Sequence, residues 1–170
     1  MKYPKVNRMP KILFVDNRKS IVERVKEAGF AAKLGDYFIE ALKEPRHVLM
    51  SASNPSFSYG GGIDRDLQYH FPLYCEAKQK RAYSGNERIG NIVFTITVDN
   101  RLASNEQLVR EALKFAIENT DEGETLVLMG AGTGIGLLKE DVFVEILKEE
   151  AGHLINNYHD QHNTTMGEGV

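Results

Sequence analysis

The sequence predicts an α/β fold, a three-layer sandwich in which helices cover both faces of a mostly parallel, mixed central sheet. Short apolar runs typical of buried strands alternate along the chain with segments whose apolar residues recur at helical spacing. Two glycine-rich loops each follow one of these apolar runs directly. Ligands of such sheets bind outside the carboxyl ends of the strands, so we expect both loops to face one crevice.

Length and composition are those of an ordinary globular chain. The 170 residues are 42% apolar and 26% charged, near the averages of folded domains. We assign residues 1–155 to a single domain and residues 156–170 to a C-terminal tail that loses helical periodicity and is expected to fray. The formal charge of -3 gives no basic footprint, which argues against a nucleic-acid or membrane-surface partner.

The single cysteine and the apolar segments bear on location. Cys75 cannot form an intramolecular disulfide or a cysteine-based metal cluster. We interpret it as a half-buried or surface thiol, because no paired histidine identifies it as a nucleophile. No stretch approaches the roughly 18 apolar residues of a membrane span, and no apolar signal core opens the chain. The predicted location is therefore cytoplasmic.

The N-terminal part of the chain alternates strand and helix. Residues 12–15 form a continuous apolar run that predicts the first strand. Ser20 is the expected N-cap of the first helix, because Glu23 stands in the capping-box position. A short strand at residues 31–34 and a helix at residues 38–42 follow, before a proline that ends the helix.

The middle of the chain is less regular. The second long strand is predicted at residues 47–51, followed by the first glycine-rich loop and a helix at residues 64–70. Residues 71–91 are interrupted by proline and glycine and give no clear pattern. We expect three basic residues of this segment to form a solvated run: Lys78, Lys80 and Arg81.

The C-terminal half returns to alternation. Residues 92–98 run apolar with little interruption, which predicts a strand with little water on either face. Residues 105–119 have the apolar stripe of an amphipathic helix. Residues 125–129 form another apolar strand, and residues 140–150 form a last helix with apolar side chains at helical spacing.

The segment between the strand at residues 47–51 and the next helix carries a candidate site. The strand is followed by Asn54, then by Gly60, Gly61 and Gly62, then by Ile63 and Asp64. Three adjacent glycines allow close approach to the backbone, because no Cβ intervenes. Peptide N–H groups in such a loop, beside a helix N-terminus, suit an anion such as a phosphate.

The second glycine-rich loop occupies residues 130–136, with the sequence Gly-Ala-Gly-Thr-Gly-Ile-Gly. It is not a triphosphate P-loop, because no Gly-Lys-Ser/Thr follows. It also lacks the third glycine of the dinucleotide fingerprint. Its alternating glycines favour a loop that wraps a phosphate, and the alternative is a tight connection into the last helix.

Together these motifs resemble those of the macrodomain family, the α/β module that binds ADP-ribose, over about residues 33–150. The matching motifs, in the family's order and spacing, are residues 34–36 (Leu-Gly-Asp), 51–55 (Ser-Ala-Ser-Asn-Pro), 60–64 (Gly-Gly-Gly-Ile-Asp) and 132–135 (Gly-Thr-Gly-Ile). The resemblance implies a macrodomain-like sandwich. It also implies that the ligand is ADP-ribose or a related NAD-derived nucleotide, free or on a protein. We expect no cofactor and no metal.

The resemblance assigns roles to individual residues. Asp36 would accept the adenine amino group, Asn54 would contact hydroxyls of the distal ribose, and the two loops would close on the phosphates. The implied loop contacts are Gly60, Gly61, Gly62, Ile63, Gly132, Thr133, Gly134, Ile135 and Gly136. Both polar side chains have a plainer alternative, Asp36 as a helix N-cap and Asn54 as an Asx-turn residue before a proline.

Departures from the family bear on catalysis. Members that cleave ADP-ribose from proteins surround the distal ribose with two asparagines, an aspartate and a histidine. This chain keeps Asn54 and Asp64 but has Ser51 and Gln68 at the other two positions, and Gly136 replaces an aromatic residue that often rests on the ribose. We therefore expect binding, with hydrolysis of protein mono-ADP-ribose or ADP-ribose 1''-phosphate by Asn54 and Asp64 as the alternative. A purely structural role for Asp64, as the N-cap of the next helix, is also open.

Two further patterns are set aside. The first strand resembles that of a response-regulator receiver, but that fold needs a second aspartate and a late lysine at strand ends, and the strand at residues 47–51 ends in Ser51. Three histidines near the C-terminus lack the regular spacing of metal ligands and are interpreted as part of a solvated tail: His153, His159 and His162.

Overall fold

The computed structural model describes residues 9–58 and 62–159, which form a six-stranded sheet with helices on both faces. The strands are β1 (Lys11–Asp16), β2 (Ala31–Leu34), β3 (His47–Ser53), β4 (Glu87–Ile89), β5 (Ile92–Ile96) and β6 (Thr125–Leu128). The helices are α1 (Lys19–Glu27), α2 (Tyr37–Leu42), α3 (Gly62–His70), α4 (Pro72–Gln79), α5 (Glu106–Glu118) and α6 (Glu140–Ala151). None of these helices combines the length and apolar character needed to cross a membrane.

The sheet is parallel except at one edge. The strand order is β2-β1-β6-β3-β5-β4, and only β4 runs antiparallel to its neighbour among the described strands. Strand β6 lies between β1 and β3. The chain continues from β1 to β2 at one edge of the sheet, and from β3 toward β4 and β5 at the other edge. A crevice is expected at such a reversal of strand order. The predicted mixed α/β sandwich is confirmed.

The central strands are covered on both faces. Every residue of β1 and of β6 is buried, as expected for central strands of a parallel sheet. Phe14 of β1 packs against Phe143 of α6, with ring centroids 5.9 Å apart. On α5, the buried positions Val109 and Leu113 recur at helical spacing, so this helix contributes an apolar stripe to the core.

A buried tyrosine lies where β3 and β6 separate. Backbone pairing between these strands ends at Leu49 and Val127, whereas β3 continues along β5. The Tyr37 hydroxyl accepts a hydrogen bond from the Met50 N–H at 2.8 Å and donates one to the Val127 carbonyl at 2.6 Å. Burial raises the pKa of Tyr37, so the group stays protonated and keeps its donor. The hydroxyl thus bridges β3 and β6 by hydrogen bonds at the point where their backbone pairing ends and the crevice begins.

The predicted strands and helices are all present, each within two residues of its expected bounds. The predicted capping box is wrong. Helix α1 begins at Lys19 with Arg18 as its N-cap residue, and the Ser20 hydroxyl instead donates to Glu140 Oε2 of α6 at 3.0 Å. The Ser20 side chain therefore makes a tertiary contact with α6 instead of capping α1.

The irregular segment contains α4 and β4 and corrects the prediction for Lys78. This side chain is fully buried, and its Nζ donates to Ser84 Oγ at 2.9 Å and to the Gly85 carbonyl at 2.7 Å. It also pairs with Glu87 at 3.0 Å and lies 4.7 Å above the ring of Phe57. A buried ammonium needs such partners, so Lys78 fastens this turn to the loop after β3.

Two smaller corrections concern Cys75 and the C-terminal segment. Cys75 is fully buried rather than half-buried. Residues 156–159, which we expected in the fraying tail, are helical. Tyr158 is buried there, and its hydroxyl donates to Glu44 Oε1 at 2.6 Å. The helical structure therefore includes residues 156–159, and residues 160–170 lie outside the described part of the chain.

Replacing Tyr37 tests whether its hydroxyl stabilises the sheet between β3 and β6. Tyr37→Phe keeps the ring but leaves a buried N–H and a buried carbonyl without their partner, and each such group costs about 1–3 kcal/mol. We expect the free energy of unfolding to fall by about 2 kcal/mol or more in denaturant titrations. Tyr83→Phe, which removes the hydroxyl of a side chain that is 69% exposed, is the matched control and should change stability little. Equal effects of the two substitutions would contradict the role of Tyr37.

Candidate functional site

A cavity of about 880 Å³ opens at the carboxyl edge of the sheet. It is lined by the segments that follow five strands: residues 15–18, 35–38, 52–58 with 62–66, 97–102 and 129–136. Parallel strands deliver their carboxyl ends to one edge, which is why loops far apart in sequence meet here. As predicted, the described parts of both glycine-rich loops lie at this edge.

Most of the predicted site residues reach the cavity. Those that line it are Asp36, Asn54, Gly62, Ile63, Asp64, Gly132, Gly134, Ile135 and Gly136. Thr133 does not line it, and its hydroxyl is bonded within the protein, donating to the Gly130 carbonyl at 2.5 Å and accepting from Arg18. Gly60 and Gly61 lie outside the described residues, so their predicted contacts stay predictions.

Asp36 combines a structural contact with a place at the cavity. Its Oδ1 accepts the backbone N–H of Ile39 at 2.9 Å, so Asp36 is the N-cap of α2. The plainer role proposed from the sequence is therefore present. A carboxylate has several acceptor positions, so capping by one oxygen leaves capacity to accept from a ligand.

The Asn54 amide is largely engaged within its own loop. Its oxygen accepts from the Ser58 N–H at 3.3 Å and from Ser56 Oγ at 3.2 Å, and its Nδ2 donates to Ser58 Oγ at 3.0 Å. This is the locally bonded arrangement that the sequence left open as an alternative. One amide hydrogen remains for a ligand, so Asn54 is better suited to orient a hydroxyl than to do chemistry.

Asp64 lies in the first turn of α3 and is 7% exposed. The helix already begins at Gly62, so Asp64 is not its N-cap, and its carboxylate instead turns toward β3. Ser51 Oγ donates to Oδ1 at 2.8 Å, and Ser53 Oγ donates to Oδ2. Ser51, which replaces an asparagine of the resembled family, is thus occupied in holding this carboxylate.

Burial decides the ionisation of Asp64. Desolvation raises its pKa from an ordinary 3.8 to about 6, against the opposing effect of hydrogen bonds from Ser53, Ser51 and the Ala52 N–H. A group with this pKa changes charge just below neutral pH, the range in which a general acid or base works well. Asp64 is therefore a cavity-lining carboxylate whose pKa is raised by burial.

The glycines of the second loop serve different purposes. Gly132 has a φ of 79°, and a Cβ there would lie 2.4 Å from Ser104 Oγ. A Cβ at Gly136 would lie 2.7 Å from the Gly132 carbonyl oxygen. A Cβ at Gly134, by contrast, would meet no protein atom within 4 Å. Gly132 and Gly136 permit the packing of the loop, whereas Gly134 lines the cavity with no protein atom close to its missing side chain.

Sequence reasoning missed the side chain that supports this loop. Arg18 bonds both oxygens of Asp16, through Nε at 2.9 Å and Nη2 at 3.0 Å, and also bonds Thr133. The Asp16 carboxylate in turn accepts the Gly130 N–H at 3.0 Å. Asp16 was visible in the sequence as the polar end of an apolar strand, but nothing nearby pointed to Arg18. The loop after β5, with Thr97 and Asn100 at the cavity, was missed as well.

The charged lining is mostly acidic. Among the described residues, the charged side chains of the cavity are Asp16, Asp36, Asp64, Asp66 and Arg18. The single guanidinium is already paired with Asp16. A negatively charged ligand would therefore depend on backbone N–H groups of the loops and of the α3 N-terminus for its neutralisation.

No family model and no curated protein matches the sequence. Solved structures match the fold. The macrodomain of Mycobacterium tuberculosis DarG is 18% identical, with a TM-score of 0.58, over 72% of this chain and 89% of its own. Two proteins of Bacteroides thetaiotaomicron, one of them described as of unknown function, are 18% and 17% identical with TM-scores of 0.56 and 0.54. They cover 83% and 82% of this chain and 90% and 92% of their own. This chain has a macrodomain-like fold.

The raised pKa of Asp64 predicts a pH dependence of stability. Between its ordinary 3.8 and about 6, the folded protein holds this proton more tightly than the unfolded chain, so stability falls as pH rises through that range. Asp64→Asn cannot titrate. We expect the wild-type advantage over this variant to shrink by about 2–3 kcal/mol between pH 4 and pH 7 in denaturant titrations. A constant difference would show that the carboxylate is not desolvated.

Proposed function

We propose that this protein binds ADP-ribose or a closely related NAD-derived nucleotide, free or attached to a protein. The observation that carries the proposal is the cavity itself, in which Asp36, Asn54 and the described parts of both glycine-rich loops meet at one sheet edge. The macrodomain-like fold supports it, since the DarG structure is named as a macrodomain. The sequence motifs, which do not depend on the fold comparison, imply ADP-ribose as the ligand through their resemblance to the macrodomain family.

The arrangement suggests how such a ligand would lie. Asp36 follows β2 at one end of the cavity, where its carboxylate suits the adenine amino group. Asn54 and Asp64 belong to the segment after β3, so the distal ribose would lie there. The diphosphate between them would rest on N–H groups near Gly62 and Gly134. Backbone neutralisation of this kind agrees with a lining that offers only one, already paired, cation among its described residues.

A second candidate function is hydrolysis of an ADP-ribose derivative. Asp64 favours it, because a cavity-lining carboxylate with a pKa of about 6 can act as a general base. The engagement of Asn54 within its loop and of Ser51 with Asp64 argues for binding first. We therefore place binding ahead of turnover.

Incubation with two substrates separates these functions. Mono-ADP-ribosylated protein and ADP-ribose 1''-phosphate are each mixed with the wild type and with Asp64→Asn, and released ADP-ribose or phosphate is measured. Saturable binding of ADP-ribose without product in either mixture is the expected result. Product formed by the wild type and lost at least about a hundredfold in Asp64→Asn would establish hydrolysis instead.

Substitution of Gly134 tests the phosphate-binding role of the second loop. Gly134 lines the cavity and a Cβ there meets no protein atom within 4 Å, so Gly134→Val should keep the fold while adding a branched side chain to the loop. We expect affinity for ADP-ribose, measured by calorimetry, to fall at least tenfold, about 1.4 kcal/mol. Gly152→Val is the matched control, because a Cβ there also meets nothing within 4 Å and Gly152 does not line the cavity. Parent-like binding by both variants would contradict the role of the loop.

Substitution of Asp36 tests recognition of the adenine. Asp36→Ser keeps an N-cap acceptor for the Ile39 N–H and removes the carboxylate. Loss of a hydrogen bond to a charged group should weaken ADP-ribose binding by about 1–3 kcal/mol. Ribose 5-phosphate, which has no adenine, should be affected far less. Equal losses for the two ligands would reduce Asp36 to a structural cap.

A further inference from the structure

We propose that the guanidinium of Arg18 is the surface on which the base of the bound nucleotide stacks, which makes Arg18 a specificity-determining residue. The inference rests on the proposed function, because it needs a ligand that carries a base. It goes beyond that function by assigning the base a flat, cationic contact.

The edges of the guanidinium are already occupied. Its five N–H groups lie in one plane. Asp16 accepts from Nε and Nη2 at 2.9 and 3.0 Å, and Thr133 accepts from Nη2 at its hydroxyl (2.7 Å) and from Nη1 at its carbonyl (3.2 Å). Four of the five donors are therefore engaged within the protein. One Nη1 hydrogen remains at the edge, so the flat face is the larger part of the guanidinium left for a ligand.

These bonds also fix the plane in space. Asp16 ends β1 and Thr133 belongs to the loop after β6, so the guanidinium is held from two neighbouring strands. A planar group clamped at both ends loses little freedom when a ligand stacks on it. Arg18 is thus preorganised as a platform, and its side chain is still 35% exposed.

The platform lies at the base end of the cavity. β1 and β2 are paired neighbours, and the Gly35 N–H donates to the Asp16 carbonyl at 3.0 Å. Asp36 is the next residue, and both Asp36 and Arg18 line the cavity. A base whose amino group reaches Asp36 is therefore close to the guanidinium.

The aromatic residues at this end offer no face to a ligand. Within the described lining they are Tyr37 and Phe38, and each is 3% exposed. A nucleobase stacks on aromatic rings or on arginine planes, and of these the described cavity exposes only Arg18. The wider ring system of a purine overlaps a guanidinium more fully than a pyrimidine does, so this contact favours purines.

The direct test is the NMR resonance of the Arg18 Nε–H in the parent protein, recorded during titration with ADP-ribose and with AMP. Stacking places this proton over a ring and should shift it upfield with both ligands, while ribose 5-phosphate leaves it unmoved. A downfield shift or no shift on saturation with ADP-ribose would overturn the inference alone. If the parent binds neither ADP-ribose nor AMP, the proposed function fails and the inference falls with it.

A variant adds an energetic readout. Arg18→Lys keeps the charge but removes the flat face, so affinity for ADP-ribose and AMP should fall about fivefold or more, which corresponds to about 1 kcal/mol. Binding of ribose 5-phosphate should stay within about twofold. Arg24→Lys, whose arginine pairs with Glu140 outside the cavity, is the matched control and should bind all three ligands like the parent. Equal losses for all ligands in Arg18→Lys would show that Arg18 only shapes the loop, and would overturn the inference.

Discussion

The structure depends on how the sheet opens between β3 and β6 without exposing unpaired backbone to the core. The Tyr37 hydroxyl, bonded to the Met50 N–H and the Val127 carbonyl, satisfies both strands at the point where their pairing ends. A buried backbone group left without a partner costs about 1–3 kcal/mol. The two hydrogen bonds of Tyr37 avoid this cost where the strands separate. Tyr37 directly follows Asp36, the cap of the same helix. One short segment therefore both opens the cavity and places a candidate ligand contact at its end.

Elsewhere around the cavity, other side chains also hold backbone segments in place by hydrogen bonds and packing. Asp16 and Arg18 hold the loop after β6, and Lys78 holds the turn that packs against the loop after β3. Among the described residues, the groups left for a ligand are mainly peptide N–H groups, the Arg18 side chain and a few polar side chains such as Asp36 and Asn54. Such a lining suits a diphosphate flanked by a base and a sugar better than it suits a compact, highly charged anion.

The fold could be predicted from the sequence because its signals are local. Apolar runs and helical spacing located the strands and helices, and glycines after the strands marked the edge of the sheet at which the cavity lies. The errors arose where distant partners decide the outcome. Lys78 looked like one of three solvated bases, and its burial depends on Phe57 and Glu87, which no local pattern reveals. Arg18 carried no motif, because its hydrogen bond to Thr133 joins two segments that are far apart in the sequence. Ser51 was noticed as a departure from a family pattern, and only the fold shows that it holds Asp64.

In the function proposed here, both glycine-rich loops contact one nucleotide at the carboxyl edge of the sheet. The most direct measurement is an amide NMR titration of the full chain with ADP-ribose. We predict saturable shifts of the amides of residues 62–64 and 132–136 with a single dissociation constant, while Gly123, in the turn before β6 at the opposite edge, stays in place. Absence of saturable shifts in either loop, or shifts centred on the opposite edge, would contradict this account.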